Sequence, residues 1–180
     1  MKRLAFVVAF GSVSLAAGGC MRGAKEGVAL VTGGQGSYQV LQPPTQPLTA
    51  FDSIEIGAFT SAFGPAPASL PELVRAKLAN DLAEKGQPVN VPDRKVLLVR
   101  GTIIYYESAH GLAEQLFGPL EEAVADVELV DKASGNVIAK AACVGRSTAS
   151  VSQGVETKAE GLAKGITKWI DRFRPVRRSG

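Results

Sequence analysis

The sequence predicts an α+β fold: a β-α-β-β-β-α layer with two helices packed on one face of a mostly antiparallel sheet. Three observations predict it. Apolar residues recur at helical spacing over 70–82 and again over 155–173. Strand patterns fill the rest: alternation over 53–59, a β-branched and aromatic run over 96–107, and alternation over 123–131. Asp131-Lys132-Ala133-Ser134-Gly135-Asn136 reads as a hairpin turn leading to a returning strand over 137–147. Helices gathered on one side of an antiparallel sheet bury both elements' apolar faces at once.

The chain opens on Met1-Lys2-Arg3, a short basic stretch. An apolar run over 4–15 (LAFVVAFGSVSL) follows, then small residues at 16–19. This is the layout of a secretory signal. The run is shorter than the roughly 20 residues that span a bilayer. Ala17-Gly18-Gly19-Cys20 resembles the bacterial lipobox. That resemblance implies diacylglyceryl transfer to the Cys20 thiol, cleavage before it, and acylation of the new terminus, palmitate included. A buried methylene contributes about 0.8 kcal/mol, so two or three chains hold a protein where one does not. The alternative is ordinary cleavage after Ala16, with Ser14 and Ala16 as the small pair and a soluble periplasmic product. Met21 follows the cysteine. By resemblance to enterobacterial sorting, a residue other than Asp there implies the outer membrane, on its periplasmic face.

Residues 1–19 are read as the signal, 20–50 as the lipidated cysteine and a flexible tether, 51–175 as the globular α/β domain, and 176–180 as a basic tail. The tether reading rests on Gly33-Gly34-Gln35-Gly36 and on Gln42-Pro43-Pro44-Thr45-Gln46-Pro47, since Gly supplies slack and Pro extension. Val28 to Thr32 could form a short strand. The glycine run is not a phosphate loop, because Ser37-Tyr38 stands where the Walker pattern needs Lys-Ser/Thr.

Within the domain, Ile54, Ile56 and Ala58 share one face of the first expected strand. Ser69 and Glu72 have capping-box spacing, with Pro71 tolerated in the first turn. Leu70, Leu73, Val74, Leu78 and Leu82 make the first helix's stripe, and Gly86 is its stop. The run from Val96 to Glu107 is nearly apolar, as expected of a central strand covered on both faces. Ala125, Val127 and Leu129 point inward on the next strand, and Gly135 is the positive-φ residue of the hairpin. In the last helix Val155, Ala159, Leu162, Ile166, Trp169, Ile170 and Phe173 form a stripe, with Lys158, Lys164, Lys168 and Asp171 mostly outside it. Trp169 is expected against the sheet, and Gly161 and Gly165 would let the helix lie close to it.

Charge and cysteines narrow the function. The chain holds 20 basic and 17 acidic residues, and Lys2 and Arg3 leave with the signal. That balance argues against nucleic acid as a partner. With Cys20 lipidated, Cys143 has no intramolecular partner. It shares a face with Val137, Ala139 and Ala141 and reads as a buried small hydrophobe.

From Phe51 to Phe173 the chain resembles a bacterial lipoprotein family of unknown function, domain-of-unknown-function family forty-four-ten. The resemblance is carried by residues 54–59, the helix from Leu70 to Gly86, Arg100-Gly101-Thr102-Ile103, and Leu129-Val130-Asp131-Lys132-Ala133-Ser134-Gly135. It implies a small module like those of envelope-assembly lipoproteins, the amino-terminal domain of TolB and the curli-secretion lipoprotein among them. It supplies no catalytic residues.

The residues themselves form no catalytic or metal constellation. His110 is the only histidine, and Gly111 and a strand ending near Glu107 argue against a helix that would gather it with Glu107 and Glu114. Glu107, Glu121, Glu122 and Asp126 could supply the paired acids of an envelope hydrolase, but outward strand positions explain them. Ser147, Ser150 and Ser152 lack a nucleophile-elbow setting. Leu112, Leu116 and Phe117 are apolar residues in an expected loop. They either tuck into the core or form a partner-binding patch. Arg172, Arg174, Arg177 and Arg178 read as a polar tail or a contact for acidic head groups. The expectation is a non-enzymatic binding or assembly module of the envelope without a cofactor. It is held in the membrane through Cys20, and its partner is another envelope protein or its own copies.

Overall fold

The protein is described by a computed structural model over residues 34–91, 95–107, 121–147 and 154–175. Its strands are β1 (Gln35–Gln42), β2 (Ser53–Ser61), β3 (Val96–Tyr106), β4 (Glu121–Asp131) and β5 (Val137–Ser147). Its helices are α1 (Leu70–Glu84) and α2 (Val155–Phe173). The strands form one sheet in the order β1-β5-β4-β3-β2. Only the β2–β3 pair is parallel, with α1 as its crossover. The predicted α+β layer is the observed one, with a fifth strand added.

That fifth strand is β1. The stretch 34–50, read above as tether, contributes an edge strand antiparallel to β5 and the buried side chain of Leu48. Gly34 and Gly36 are needed for close approach, because a Cβ on Gly34 would sit 2.7 Å from the backbone nitrogen of Gly161 on α2. Glycines that read as slack in sequence are thus the contact surface of a strand beneath a helix.

The helix side of the sheet explains that closeness. Ala123, Ala125, Ala139, Ala141, Cys143 and Gly145 are all buried. Such small side chains let α2 settle low and bury Leu162, Ile166, Trp169 and Ile170 completely. Gly161 and Gly165 complete the fit: a Cβ on either would lie 2.6 Å from the carbonyl oxygen of Gln35 or Ser37. The helix therefore rests on strand backbone. Gly135 has φ 73° and Gly86 has φ 72°, the conformations the hairpin and helix stop require.

Several local expectations are corrected. Ser69 makes no side-chain cap; Glu72 pairs instead with Arg75 at 2.9 Å. Irregular pairing between Ile56 and Phe59 turns Ala58 outward and sends Phe59 into the core. β3 is covered on one face only: Leu97, Val99 and Ile103 are buried, whereas Arg100, Ile104 and Tyr105 are exposed. Arg174 is not tail. Its guanidinium donates to the Phe51 carbonyl at 2.9 Å and to Gln87 Oε1, tying the end of α2 to the start of the domain. Lys158, expected outside the stripe, is 1% exposed. Its Nζ lies 4.0 Å above the Tyr106 ring and donates to the Glu107 carbonyl at 2.6 Å.

One polar group sits awkwardly between the helices. Asp81 on α1 has Oδ2 buried without a hydrogen-bond partner among the described residues. Burial raises its pKa above the ordinary carboxylate value, against the opposing pull of Lys164. A raised folded-state pKa means that Asp81 favours folding while protonated and loses that contribution as pH rises through the folded value. Asp81→Asn is therefore expected to be more stable than the parent near pH 7, and the two should converge below about pH 4. Urea titration at both pH values checks this. An Asn variant less stable at neutral pH would mean the carboxylate has a favourable partner.

Candidate functional site

The open face of the sheet carries a set of charges paired across strands. Cross-strand register builds it. Arg100 lies opposite Glu128, and Glu128 opposite Lys140. Side chains at paired positions on one face come within reach of each other. Arg100 accordingly donates through Nε and Nη2 to Glu128 Oε2, at 3.0 and 2.7 Å. Lys140 Nζ lies 2.6 Å from Oε1 of the same carboxylate. One carboxylate thus joins three strands. Its hydrogen bonds from Lys140, then those from Arg100, hold its pKa below the ordinary value. Arg146 reaches Glu122 at 2.8 Å, and Lys132 reaches Glu55 at 2.5 Å. These pairs are partly open to water, so each stabilises only modestly, by about 0–1 kcal/mol.

Between the pairs is a shallow depression of about 560 Å³, bordered by Ala58, Thr60, Thr102, Ile104 and Asp126. Asp126 is exposed and has no ion pair among the described residues. The surface mixes both charge signs with short neutral side chains, which suits protein contact better than capture of one strongly charged ligand. A second groove, about 260 Å³, lies between the helices and is bordered by Asp81, Lys85, Lys164 and Thr167.

The candidate acids are only partly gathered. Glu107 and Glu122 are neighbours across β3 and β4, where the Glu107 N–H donates to the Glu122 carbonyl at 2.8 Å. Their charges meet at Tyr105, whose phenol pKa is raised, most of all by Glu107. Glu122 is held by Arg146, however, and Glu107 is exposed to water. Asp126 stands on the open face, and Ser147 is buried at the end of β5. Cys143 is buried on the helix side, and desolvation pushes its thiol pKa well up, so it has no nucleophilic thiolate. Cys20, His110, Leu112, Glu114, Leu116, Phe117, Ser150, Ser152, Arg177 and Arg178 lie outside the described residues, as do the signal, the 21–33 part of the tether and the 176–180 tail; nothing is described of the Glu121 side chain. Among the described residues no group of His, Cys, Asp and Glu could hold a metal ion, and no helix is long and apolar enough to cross a membrane.

Sequence reading missed the Arg100–Glu128–Lys140 ladder. The charges themselves were visible, at 100, 128 and 140 along three expected strands. Pairing them needs the register between strands, and register depends on where each chain crossing ends.

No family model matches the chain, and no curated protein matches it. Solved structures do. PelC from Paraburkholderia phytofirmans, a dodecamer, aligns at TM-score 0.56 with 14% identity, over 79% of this chain and 100% of its own. A point variant of the same dodecamer in another crystal form gives TM-score 0.55 and 14% identity, over 80% of this chain and 100% of its own. A Xanthomonas campestris protein from a family of unknown function shares 12% identity over 73% of this chain and 87% of its own, at TM-score 0.47. At these identities, what the chain shares with PelC is the fold.

Proposed function

We propose that this chain is a non-enzymatic assembly module of the bacterial cell envelope, anchored in the outer membrane through lipidated Cys20, that works as an oligomer or beside another envelope protein. The observation that carries the reading is the fold held in common with PelC over the whole PelC chain, PelC being a dodecamer. The lipobox-like Ala17-Gly18-Gly19-Cys20 and the resemblance to the lipoprotein family of unknown function support the envelope setting. The Glu128 and Glu122 carboxylates, each tied to a cation, support recognition over hydrolysis, since a general acid or base must be free to exchange its proton. The apolar residues Leu112, Leu116 and Phe117 would add a contact to an envelope partner if they do not tuck into the core.

The test uses the full chain in bacterial cells fed labelled palmitate, followed by mass measurement of the protein extracted in mild detergent. Label should enter the parent and be absent from Cys20→Ser. The extracted parent should run as a multiple of the mass of the lipidated chain that begins at Cys20, which lacks residues 1–19 of the 18.8 kDa precursor. Equal labelling of Cys20→Ser would remove the anchor. A chain that stays monomeric and draws no envelope protein into crosslinks would remove the assembly reading.

A further inference from the structure

The two edges of the sheet are not alike. β2 is partly occupied at its outer side: the Ile54 N–H donates to Pro88, and the Ile54 carbonyl accepts from Asn90, both at 2.8 Å. Among the described residues no backbone segment pairs with the outer side of β1. Its sequence, QGSYQVLQ, holds no charged residue and no proline. Edge strands are ordinarily blunted by one or the other, because unpaired N–H and C=O groups recruit further strands. Leu41, the most exposed of the large apolar residues described, is 55% exposed on β1.

The direction of the free groups follows from one bond. Lys168 Nζ donates to the Gly36 carbonyl at 2.9 Å, while the Gln35 and Ser37 oxygens lie beneath α2. In an antiparallel ladder alternate residues turn both backbone groups the same way. If Gly36 faces outward, Tyr38 and Val40 do too. The pairing of β1 with β5 becomes irregular just beyond Val40, and Pro43-Pro44 follows. The usable edge is therefore Tyr38 to Val40, with Lys168 guarding its amino-terminal end.

We infer that this edge pairs with β1 of a second copy of the chain, antiparallel about a two-fold axis at Gln39, making one continuous sheet across two protomers. In that register Tyr38 of one copy exchanges backbone hydrogen bonds with Val40 of the other, Gln39 opposes Gln39, and Leu41 lies opposite Ser37. Self-pairing sets each residue opposite its own strand, so a charged β1 would risk facing its own sign; this strand has none. The guarding Lys168 ammoniums attach three residues from the axis, about 20 Å apart across the pair at strand spacing. That exceeds the roughly 8 Å screening length of physiological salt, so they do not oppose it. The inference rests on the assembly reading above and deepens it by naming the surface.

The test is disulfide capture in native membranes with the full chain. Gln39→Cys places two thiols at a close cross-strand pair. Thr60→Cys places one on exposed β2, and Cys143 is buried and silent. Mild oxidation should give a covalent dimer from Gln39→Cys and none from Thr60→Cys. Adding Leu41→Lys to Gln39→Cys should cut the dimer yield about tenfold, the effect of roughly 1.4 kcal/mol, without changing the unfolding midpoint. If Gln39→Cys couples instead to Thr60→Cys on differently tagged copies, the edges pair head to tail and the two-fold pairing is wrong. An oligomeric parent with no Gln39→Cys dimer would discard this pairing and leave the assembly reading standing. A monomeric parent without crosslinks would discard both.

Discussion

Trp169→Ala should lower the unfolding free energy by about 3–5 kcal/mol, the usual cost of emptying a buried aromatic site. Trp169 heads the largest fully buried side chains described and is 0% exposed. It lies in α2, over a sheet face whose β4 and β5 positions are mostly alanine, cysteine and glycine. Those residues are too short to close the void, so the relaxation that softens such substitutions elsewhere is small here. The indole Nε1 is buried without a hydrogen-bond partner among the described residues. Trp169→Phe, which removes that N–H and keeps most of the ring, should therefore cost much less than Trp169→Ala. Urea denaturation of both variants measures the difference. A loss below about 1 kcal/mol for Trp169→Ala would place the centre of the core elsewhere.

Gly161→Leu should be at least as damaging, for the opposite reason. A Cβ at 161 would meet the Gln35 carbonyl oxygen at 2.6 Å, the Gly145 Cα at 2.8 Å and the Arg146 nitrogen at 3.0 Å. All three belong to backbone, on two different strands, and no rotamer change moves them aside. The helix must lift from β1 and β5. Overpacking typically costs about 1–3 kcal/mol, and contact with fixed backbone places this variant at or above the top of that range. Amide exchange should show the first loss of protection in β1, which loses its support from α2. Gly64→Ala is the control: nothing lies within 4 Å of its would-be Cβ, and its stability should stay within about 0.5 kcal/mol of the parent. Equal effects of the two variants would mean that glycine content, rather than helix-to-strand contact, sets the cost.

Both predictions concern α2, and α2 shows how far local pattern reaches. Its stripe from Ala159 to Ile170 was legible because a 3.6-residue period marks one helix face wherever the helix ends up. The close approach at Gly161 and Gly165 could be anticipated as well. The stripe could not reveal what those glycines touch. That partner is β1, some 120 residues away, whose own glycines had the look of a linker.

The candidate site divides in the same way. Arg100, Glu128 and Lys140 were plain as charges on strands, yet their joining into one ladder depends on the β3–β4–β5 register. Lys158 and Arg174 were read as surface residues because isolated lysines and terminal arginines usually are. Each is buried because backbone carbonyls, of Glu107 and Phe51, are presented to it by other parts of the chain.

By itself, then, the sequence determined the α+β class, the two helices, four of the five strands, the hairpin at Gly135 and the burial of Trp169 and Cys143. Each is a consequence of short-range periodicity, turn stereochemistry or hydrophobicity, which act within a few residues. Only the tertiary structure decided that 35–42 is a strand, that β3 is bare on one side, and that Ala58 turns outward. A strand is completed by hydrogen bonds to a partner remote in sequence, and exposure is a property of what the rest of the chain leaves uncovered.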